Sequence, residues 1–289
     1  MSKEKTELSP SRREVIERIR EYEKAGGEAF FLDVENDPAG RTLTVDDVDY
    51  GYTRFSSKVK AKIAALLEWA VAPFIRRSHK MTVVGKENLK GIKGGAIITA
   101  NHFNRFESVA IKMVSKKIKG RHRFWRVIRE GNFFIPGLFG FVLKNDYTLP
   151  ISSSAKTMAH LGQAIDKILA KGGHVLIYPE QAMWYNYRKP RQYRTGAFYY
   201  AAKSKVPVIS CFNEISVMDG YDGDGFPRVK YTVHVLPPIY PDEALSAREN
   251  AEIMLKKSLE MSRKKYEEVY GEALTFGEGS PFAYADIDI

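Results

Sequence analysis

Residues 96–117 read AIITANHFNRFESVAIKMVSKK, and this stretch indicates the fold class of the chain. Ala96–Ala100 has the pattern of a buried strand, and helical spacing of apolar residues follows over Phe106–Lys117. A strand that runs through a short polar turn into a helix is the repeating unit of layered α/β proteins. The turn carries His102, and Glu107 falls in the first helical turn, where the helix dipole favours a carboxylate.

The same alternation continues on both sides of this stretch. It predicts further strands at Met81–Val84, Phe124–Ile128, Val175–Tyr178, Pro207–Ser210 and Tyr231–Leu236, and further helices at Ala155–Ala170, Gly196–Lys203 and Asp242–Tyr270. The pattern therefore predicts an α/β fold, a single layered domain with a largely parallel central sheet flanked by helices. We place this domain at residues 80–275 and a C-terminal tail at residues 276–289.

The composition excludes several classes of protein. With 44% hydrophobic and 28% charged residues, the 289-residue chain is typical of globular proteins with a sizeable core. The single cysteine, Cys211, excludes an intrachain disulfide framework and a multi-cysteine zinc site, and we predict no metal site. We expect no membrane span, because no apolar stretch is long enough, and no signal peptide, because the N-terminus lacks an apolar core.

The positive charge of the chain is concentrated in one segment. Residues 51–145 carry a net charge of +16, whereas residues 1–50 carry −5 and residues 146–289 carry −1. Such a segment attracts polyanions, which include nucleic acid, an anionic membrane and phosphorylated substrates. A solvated basic face is the alternative interpretation.

Two segments precede the predicted domain. Residues 1–55 form an acidic appendage with a short helix at Ser11–Lys24, and we expect it to be partly disordered or to wrap onto the domain. Residues 56–79 are predicted to form an amphipathic helix with basic residues at both ends. Its apolar positions are Val59, Ile63, Leu66, Leu67, Ala70, Val71 and Phe74. The pattern fits a helix lying in a membrane interface and equally a helix facing the core.

Two further blocks carry candidate functional residues. The strand at Val175–Tyr178 leads into Pro179-Glu180-Gln181, and a cluster of cations precedes the helix that begins near Gly196. These cations are Arg188, Lys189, Arg191 and Arg194. They indicate either a phosphate site at a helix N-terminus or a solvated basic loop. The aromatic, glycine-rich block Gly131–Phe141 fits a groove for an acyl chain, a buried loop or a short hydrophobic helix.

In this order, the blocks resemble the glycerolipid acyltransferase family, typified by 1-acylglycerol-3-phosphate acyltransferases. That family is marked by N-H-x-x-x-x-D after a strand, a glycine-rich aromatic block, F-P-E-G-T-R and a strand that begins V-P. The counterparts here are Asn101-His102 with Glu107, Gly131–Phe141, Tyr178-Pro179-Glu180-Gln181 and Val206-Pro207-Val208-Ile209. The resemblance covers about residues 80–240. It departs where Glu107 replaces the aspartate and where Gln181-Ala182-Met183 replaces Gly-Thr-Arg, so the phosphate-binding arginine of the family is missing.

The resemblance implies an O-acyltransferase of phospholipid biosynthesis. His102 would be the catalytic base, oriented by Glu107, and acyl-CoA or acyl carrier protein would be the co-substrate, with no cofactor. The acceptor would be a lysophospholipid such as 1-acylglycerol-3-phosphate. The substrate-binding residues would be Asn104, Arg105, Glu180, Gln181, Arg188, Lys189, Arg191 and Arg194. We expect a cytoplasmic protein bound peripherally to anionic lipid at the inner face of the membrane.

Other functions remain open or are disfavoured by missing motifs. The acceptor could instead be a glycolipid or glycerol 3-phosphate, and a non-catalytic, membrane-bound lipid-binding relative is a further alternative. A serine hydrolase is disfavoured because the chain has no G-x-S-x-G, and nucleotide hydrolysis because it has no G-x-x-x-x-G-K-[ST]. No nucleic-acid recognition motif accompanies the basic segment, so we predict no nucleic-acid partner.

Overall fold

The structure is a computed structural model that describes residues 10–35, 41–120 and 123–277. The first nine residues of the predicted appendage and most of the predicted tail at 276–289 lie outside these ranges. The α-helices are α1 (Pro10–Ala25), α2 (Phe55–Ser78), α3 (Glu107–Ser115), α4 (Gly137–Asn145), α5 (Ala155–Ala170), α6 (Gly196–Lys203) and α7 (Ala247–Tyr270). The strands are β1 (Thr82–Val84), β2 (Ala96–Ala100), β3 (Phe124–Ile128), β4 (Thr148–Pro150), β5 (His174–Leu176), β6 (Val208–Tyr221) and β7 (Pro227–Val235).

The strands form one sheet in the order β1-β7-β6-β2-β5-β3-β4. Neighbouring strands are parallel except for the antiparallel pair β6 and β7, so the predicted α/β fold with a largely parallel sheet is confirmed. Strand β2 lies centrally between β5 and β6. Because β2 and β5 are parallel, the turns that carry His102 and Glu180 leave the sheet at the same edge.

Helices cover both faces of the sheet. One face packs against α3 and part of α2, and the other packs against α5, α6 and α7. All five residues of β2 are buried, as expected for a strand covered on both faces. Capping residues fix the helix starts: Ser154 accepts a hydrogen bond from Thr157 N–H, and Ser246 forms a capping box with Glu249.

The structure differs from the sequence-based prediction mainly in the second half of the chain. The strand predicted to end at Ser210 continues to Tyr221, because it pairs with β7 in a long hairpin. Helix α7 begins at Ala247 rather than at Asp242, because Ser246 caps its N-terminus. Strand β4 was not predicted, because it is short and lies in a segment without clear periodicity. Helix α4 begins within the block Gly131–Phe141, for which a short hydrophobic helix was one of the interpretations.

Helix α2 turns its small side chains toward the core. Ala61 and Ala64 are buried, and Ala72 and Ile75 pack against the core formed with α3. Its large apolar side chains face outward: Phe55, Val59, Ile63, Leu66, Trp69, Val71 and Phe74 are exposed by 38–82%. The predicted amphipathic stripe thus lies on the outer side of the helix. None of the helices in the described part of the chain combines the length and the apolar character needed to cross a bilayer.

Residues 10–35, which we name the N-terminal strap, pack onto the loop between β5 and α6. Their apolar side chains share one buried cluster with that loop and with Phe226. The cluster contains Val15, Ile16, Ile19, Phe30, Val34, Ala182, Trp184, Tyr185 and Tyr187. The Trp184 indole N–H donates to the Leu32 carbonyl at 3.0 Å, so backbone and side chains both hold the strap in place.

Candidate active site

His102 and Glu107 lie together in the turn between β2 and α3. The His102 Nδ1 is in hydrogen-bond contact with one oxygen of the Glu107 carboxylate. The other oxygen accepts backbone N–H groups of Phe103 at 2.8 Å and Asn104 at 3.0 Å. Because an ionised carboxylate only accepts hydrogen bonds, Nδ1 carries the proton and Nε2 presents a lone pair.

The two side chains differ in their access to solvent. The Glu107 side chain is 1% exposed and the His102 side chain 20% exposed. Nε2 of His102 forms no hydrogen bond with the part of the chain that the structure describes. The arrangement therefore leaves Nε2 without a hydrogen-bond partner among the described residues and buries the carboxylate that contacts Nδ1, as a general base requires.

Two pairs of asparagines fix the turn that carries His102. Asn101 and Asn213 exchange side-chain and backbone hydrogen bonds of 2.7–3.1 Å, which tie the end of β2 to β6. Asn104 donates from its side chain to Asn186 at 3.2 Å and accepts from Phe106 N–H at 3.1 Å. The amide of Asn104, which we predicted to bind substrate, is thus buried and engaged within the chain.

Glu180 lies behind the His102 turn and supports its backbone. The N–H of His102 donates to Glu180 Oε2 at 3.0 Å, and Arg191 binds the same carboxylate through its backbone N–H and its guanidinium at 2.8–3.3 Å. Burial raises the pKa of Glu180, and the charge of Arg191 and the N–H donors offset only part of the rise. Both side chains are at most 2% exposed, so Glu180 and Arg191 support the His102 turn as a buried ion pair.

The remaining cations of the β5–α6 loop also have partners inside the chain. Lys189 is buried in an ion pair with Glu23 of the N-terminal strap, and Arg194 pairs with Glu28 of the strap. Arg188 lies 3.6 Å from Glu272. The Arg191 guanidinium also donates a hydrogen bond to the Phe30 carbonyl of the strap, at 2.6 Å. All four cations predicted to bind a substrate phosphate are therefore used in contacts within the protein.

Arg105 is placed differently from these four. It is exposed and follows His102 by three residues in the same turn. Its guanidinium forms no ion pair or hydrogen bond with the residues that the structure describes. Among the cations we predicted for substrate binding, it is the one whose charge is not neutralised within these described ranges.

Gln181 occupies a strained turn next to Glu180. Its φ is 63°, and the Ala182 N–H donates to the Glu180 carbonyl at 2.8 Å, which closes a three-residue turn. A left-handed backbone favours glycine, which is the residue of the family motif at this position. Gln181 therefore keeps the backbone shape of the motif while adding an exposed amide.

An aromatic residue at the site has a position that sequence patterns did not predict. Tyr178 stacks on His102 with ring centroids 3.9 Å apart and an angle of 6° between the ring planes. Tyr178 opens the motif Tyr178-Pro179-Glu180-Gln181, but the motif alone indicates no role for its ring. The roles of Glu180 and Arg191 in supporting the backbone were missed as well, because their partners Phe30 and His102 are distant in sequence.

The glycine-rich block forms a 3₁₀ turn at Gly131–Phe134 and helix α4, rather than an open groove. A Cβ at Gly140 would clash with the carbonyl oxygen of Ile135, so this tight bend needs glycine. Helix α4 packs against α2 and exposes Leu138 and Phe139. Both helices thus present apolar side chains to the surface.

A cavity of about 1000 Å³ lies at the opposite edge of the sheet from His102. It is lined by residues at the amino ends of β3 and β5, including Phe124 and Gly173, and by Lys116 and Lys167 near the ends of α3 and α5. Cations at helix C-termini stabilise the helix dipole, which accounts for these lysines. The cavity is therefore not part of the His102 site. Within the described residues, no cluster of three His, Cys, Asp or Glu side chains could hold a metal ion.

A comparison with protein-family models agrees with the motifs. The family model named Acyltransferase matches residues 80–213, a range that contains His102, Glu107 and Glu180. No curated protein matches the chain. A crystal structure of the 1-acyl-sn-glycerophosphate acyltransferase PlsC from Thermotoga maritima is similar, with a TM-score of 0.49 and 17% identity over 77% of this chain and 86% of that chain. Residues 80–213 therefore match an acyltransferase family model, and this segment contains the motifs that resemble the glycerolipid acyltransferases.

Proposed function

We propose that the protein moves a fatty acyl group from acyl-CoA or acyl carrier protein to the hydroxyl of a lysophospholipid such as 1-acylglycerol-3-phosphate. The observation that carries this proposal is the pairing of a buried Glu107 with a partly exposed His102 whose Nε2 has no hydrogen-bond partner among the described residues. Such a pair removes a proton from a hydroxyl group, as the acceptor requires.

The proposed reaction is a direct transfer. His102 Nε2 takes the proton of the acceptor hydroxyl while the hydroxyl oxygen attacks the thioester carbonyl carbon. The C–S bond then breaks, the ester forms, and the leaving thiolate takes up the proton from the imidazolium. Glu107 stabilises the imidazolium between these steps. A general base contributes roughly 10²–10⁴-fold, and substrate positioning and stabilisation of the oxyanion supply the remainder.

Direct transfer is favoured over a covalent acyl-cysteine. Cys211 lies on β6 opposite Ala100 of β2, near the site, but it is fully buried. Burial raises the pKa of the Cys211 thiol to about 12, so it stays protonated at neutral pH and is a poor nucleophile.

The test is acceptor-dependent release of free thiol from an acyl thioester. We expect release from acyl-CoA or acyl carrier protein when a lysophospholipid is present, with the esterified product identified by mass spectrometry. The panel includes glycerol 3-phosphate and glycolipids, which are the alternative acceptors. Lipid binding without thiol release for any acceptor or donor would contradict the proposal and support the non-catalytic alternative.

Arg105 is proposed to bind the phosphate of the acceptor, because it is the nearby cation without a partner in the described structure. A hydrogen bond to a charged group is worth about 1.5–3 kcal/mol, which corresponds to roughly 10–100-fold in binding. Arg105→Gln is therefore expected to raise the KM of a phosphorylated acceptor by that factor and to leave the thioester KM unchanged. Steady-state kinetics with each substrate varied in turn measures both.

The matched control is Arg194→Gln, which removes a cation of the β5–α6 loop that pairs with Glu28. We expect wild-type acceptor kinetics for this variant. If Arg105→Gln also leaves acceptor kinetics unchanged, Arg105 binds no phosphate, and an uncharged acceptor such as a glycolipid becomes the better proposal.

The protein is further proposed to bind anionic lipid at the inner face of the membrane through α2 and α4. The exposed apolar side chains of α2 lie beside Lys58, Lys60 and Lys62, which are exposed as well. Apolar side chains and lysines at one helix end are typical of helices that lie in a membrane interface. Each lysine near an anionic surface is worth about 1 kcal/mol, and salt screens that attraction.

Vesicle sedimentation tests the membrane proposal. Leu66→Ser/Trp69→Ser is expected to weaken binding to anionic vesicles by at least about 10-fold, because apolar burial is lost. Tyr240→Ser/Ile253→Ser removes exposed apolar side chains elsewhere and serves as the control, with unchanged binding. Equal binding of all variants, or equal binding of the wild type to neutral and anionic vesicles, would rule out this surface as the anchor.

A further inference from the structure

Tyr178 covers one face of the His102 imidazole. The two rings are nearly parallel, with an angle of 6° and centroids 3.9 Å apart. The backbone around Tyr178 is fixed on both sides: the Ile177 N–H donates to the Ile98 carbonyl at 3.0 Å, and the Tyr178 carbonyl accepts from Gln181 N–H at 3.1 Å. The imidazole is therefore held at its edge by Glu107 and at its face by Tyr178.

The Tyr178 hydroxyl is buried and forms no hydrogen bond with a described residue. Burial, and then the negative charge of Glu107, raise the pKa of Tyr178 well above its usual range, so the hydroxyl stays protonated and can only donate to a carboxylate. Glu107 is close enough to act on the hydroxyl, but their contact does not have the geometry of a formed hydrogen bond. A buried donor without an acceptor lowers the stability of the folded state by about 1–3 kcal/mol, so such a group is rarely kept without a role.

Two residues that differ from the family motifs both contact His102. Glu107 stands where the family has aspartate, and Tyr178 stands where the family has phenylalanine. Both oxygens of Glu107 are engaged: one contacts His102 Nδ1, and the other accepts hydrogen bonds from the N–H groups of Phe103 and Asn104. Each carboxylate oxygen has more than one acceptor site, so the Tyr178 hydroxyl can join these donors without displacing them.

We infer that Tyr178 is a positioning residue: its ring keeps the His102 imidazole in line with Glu107, and its hydroxyl donates to Glu107 when the acceptor is bound. This inference rests on the proposed role of His102 as the base. A hydrogen bond from Tyr178 withdraws charge from the Glu107 carboxylate and weakens the pull of that carboxylate on the Nδ1 proton of His102. Tyr178 thereby lowers the basicity of His102 and holds its ring in the productive orientation.

Tyr178→Phe tests the inference, because it removes only the hydroxyl and retains the ring. We expect kcat to fall by about 10-fold, the size of one hydrogen bond to a charged group, with substrate KM values unchanged. The acid limb of the pH profile of kcat/KM is expected to move to higher pH, because the full negative charge of Glu107 then favours the protonated imidazole. The melting temperature should not fall, since the lost hydroxyl has no partner in the folded chain.

Two further variants distinguish this role from a merely structural one. In a Glu107→Asp background, the shorter carboxylate no longer reaches the hydroxyl, so adding Tyr178→Phe should change kcat less than about 2-fold. Tyr52→Phe removes the hydroxyl of a buried tyrosine beside Thr148, away from His102, and should keep wild-type kinetics. Wild-type kcat and an unmoved pH profile in Tyr178→Phe would overturn the inference.

A direct measurement separates failure of this inference from failure of the proposed function. The pKa of His102 is measured by NMR of ¹⁵N-labelled imidazole in the wild type and in Tyr178→Phe, with a lysophospholipid bound. A higher value in the variant supports the inference even if no thiol release is found. An unchanged His102 pKa overturns it even if the enzyme is active.

Discussion

Replacing His102 by alanine is expected to lower kcat by about 10²–10⁴-fold, the contribution of a general base. The imidazole is oriented by Glu107 at Nδ1, and its Nε2 forms no hydrogen bond with the described residues. Thiol release at saturating thioester and acceptor gives kcat. His160→Ala is the matched control, because His160 is exposed on α5 and lines the cavity at the opposite edge of the sheet. Wild-type turnover in His102→Ala would remove His102 from the mechanism.

Substitutions of Glu107 should follow an order set by its charge. Glu107→Gln places an amide where the Phe103 N–H, the Asn104 N–H and His102 all require an acceptor, so a large loss of kcat is expected. Glu107→Asp keeps the charge and should retain much more activity. The reverse order would show that the length of this side chain, rather than its charge, orients His102.

Replacing Arg191 by methionine is expected to lower the free energy of unfolding by about 3–5 kcal/mol, or roughly 10 °C in melting temperature. The Arg191 side chain is fully buried, and its removal leaves the Glu180 carboxylate without its counter-ion. Adding Glu180→Gln should restore part of the loss, because the unpaired charge is then removed. Arg194→Met removes an exposed cation and should melt like the wild type. Equal melting temperatures for all four proteins would show that the Arg191–Glu180 pair does not stabilise the fold.

The instability of Arg191→Met should depend on pH in a defined direction. The pKa of Glu180 in the folded chain is already raised by burial, and loss of Arg191 raises it further. A carboxyl whose folded pKa exceeds its unfolded pKa favours the folded state at low pH, and this advantage is lost as pH rises through the folded pKa. The variant should therefore be closer to the wild type at pH 5 than at pH 8, as measured by thermal melting.

The local part of the site could be predicted from the sequence. Strand β2, the turn with His102 and the start of α3 at Glu107 follow one another directly, so a short pattern predicts their arrangement. The parallel sheet followed from the alternation of strands and helices, and the structure confirms it. The contact between His102 and Glu107 could be predicted as well, because a carboxylate in the first turn of α3 can fold back onto the loop that precedes the helix.

The rest of the site depends on contacts between distant residues. The pattern that placed four cations near the site could not predict that Glu23, Glu28 and the Phe30 carbonyl neutralise or bind three of them. Periodicity likewise could not decide which side of α2 is buried. Ala61 and Ala64 are buried, because close packing on that side of the helix favours small side chains, and the larger side chains are left outside.

The N-terminal strap also has a consequence for the order of events during synthesis. Phe30 binds Arg191, which follows it by 161 residues. At a translation rate of about 5–20 residues per second, the strap leaves the ribosome roughly 10–30 s before its partner. Through that interval, the apolar side chains of α1, among them Ile16 and Ile19, have no β5–α6 loop to pack against. The loop that supports His102 therefore reaches its final shape late in synthesis, when the first and the later parts of the chain meet.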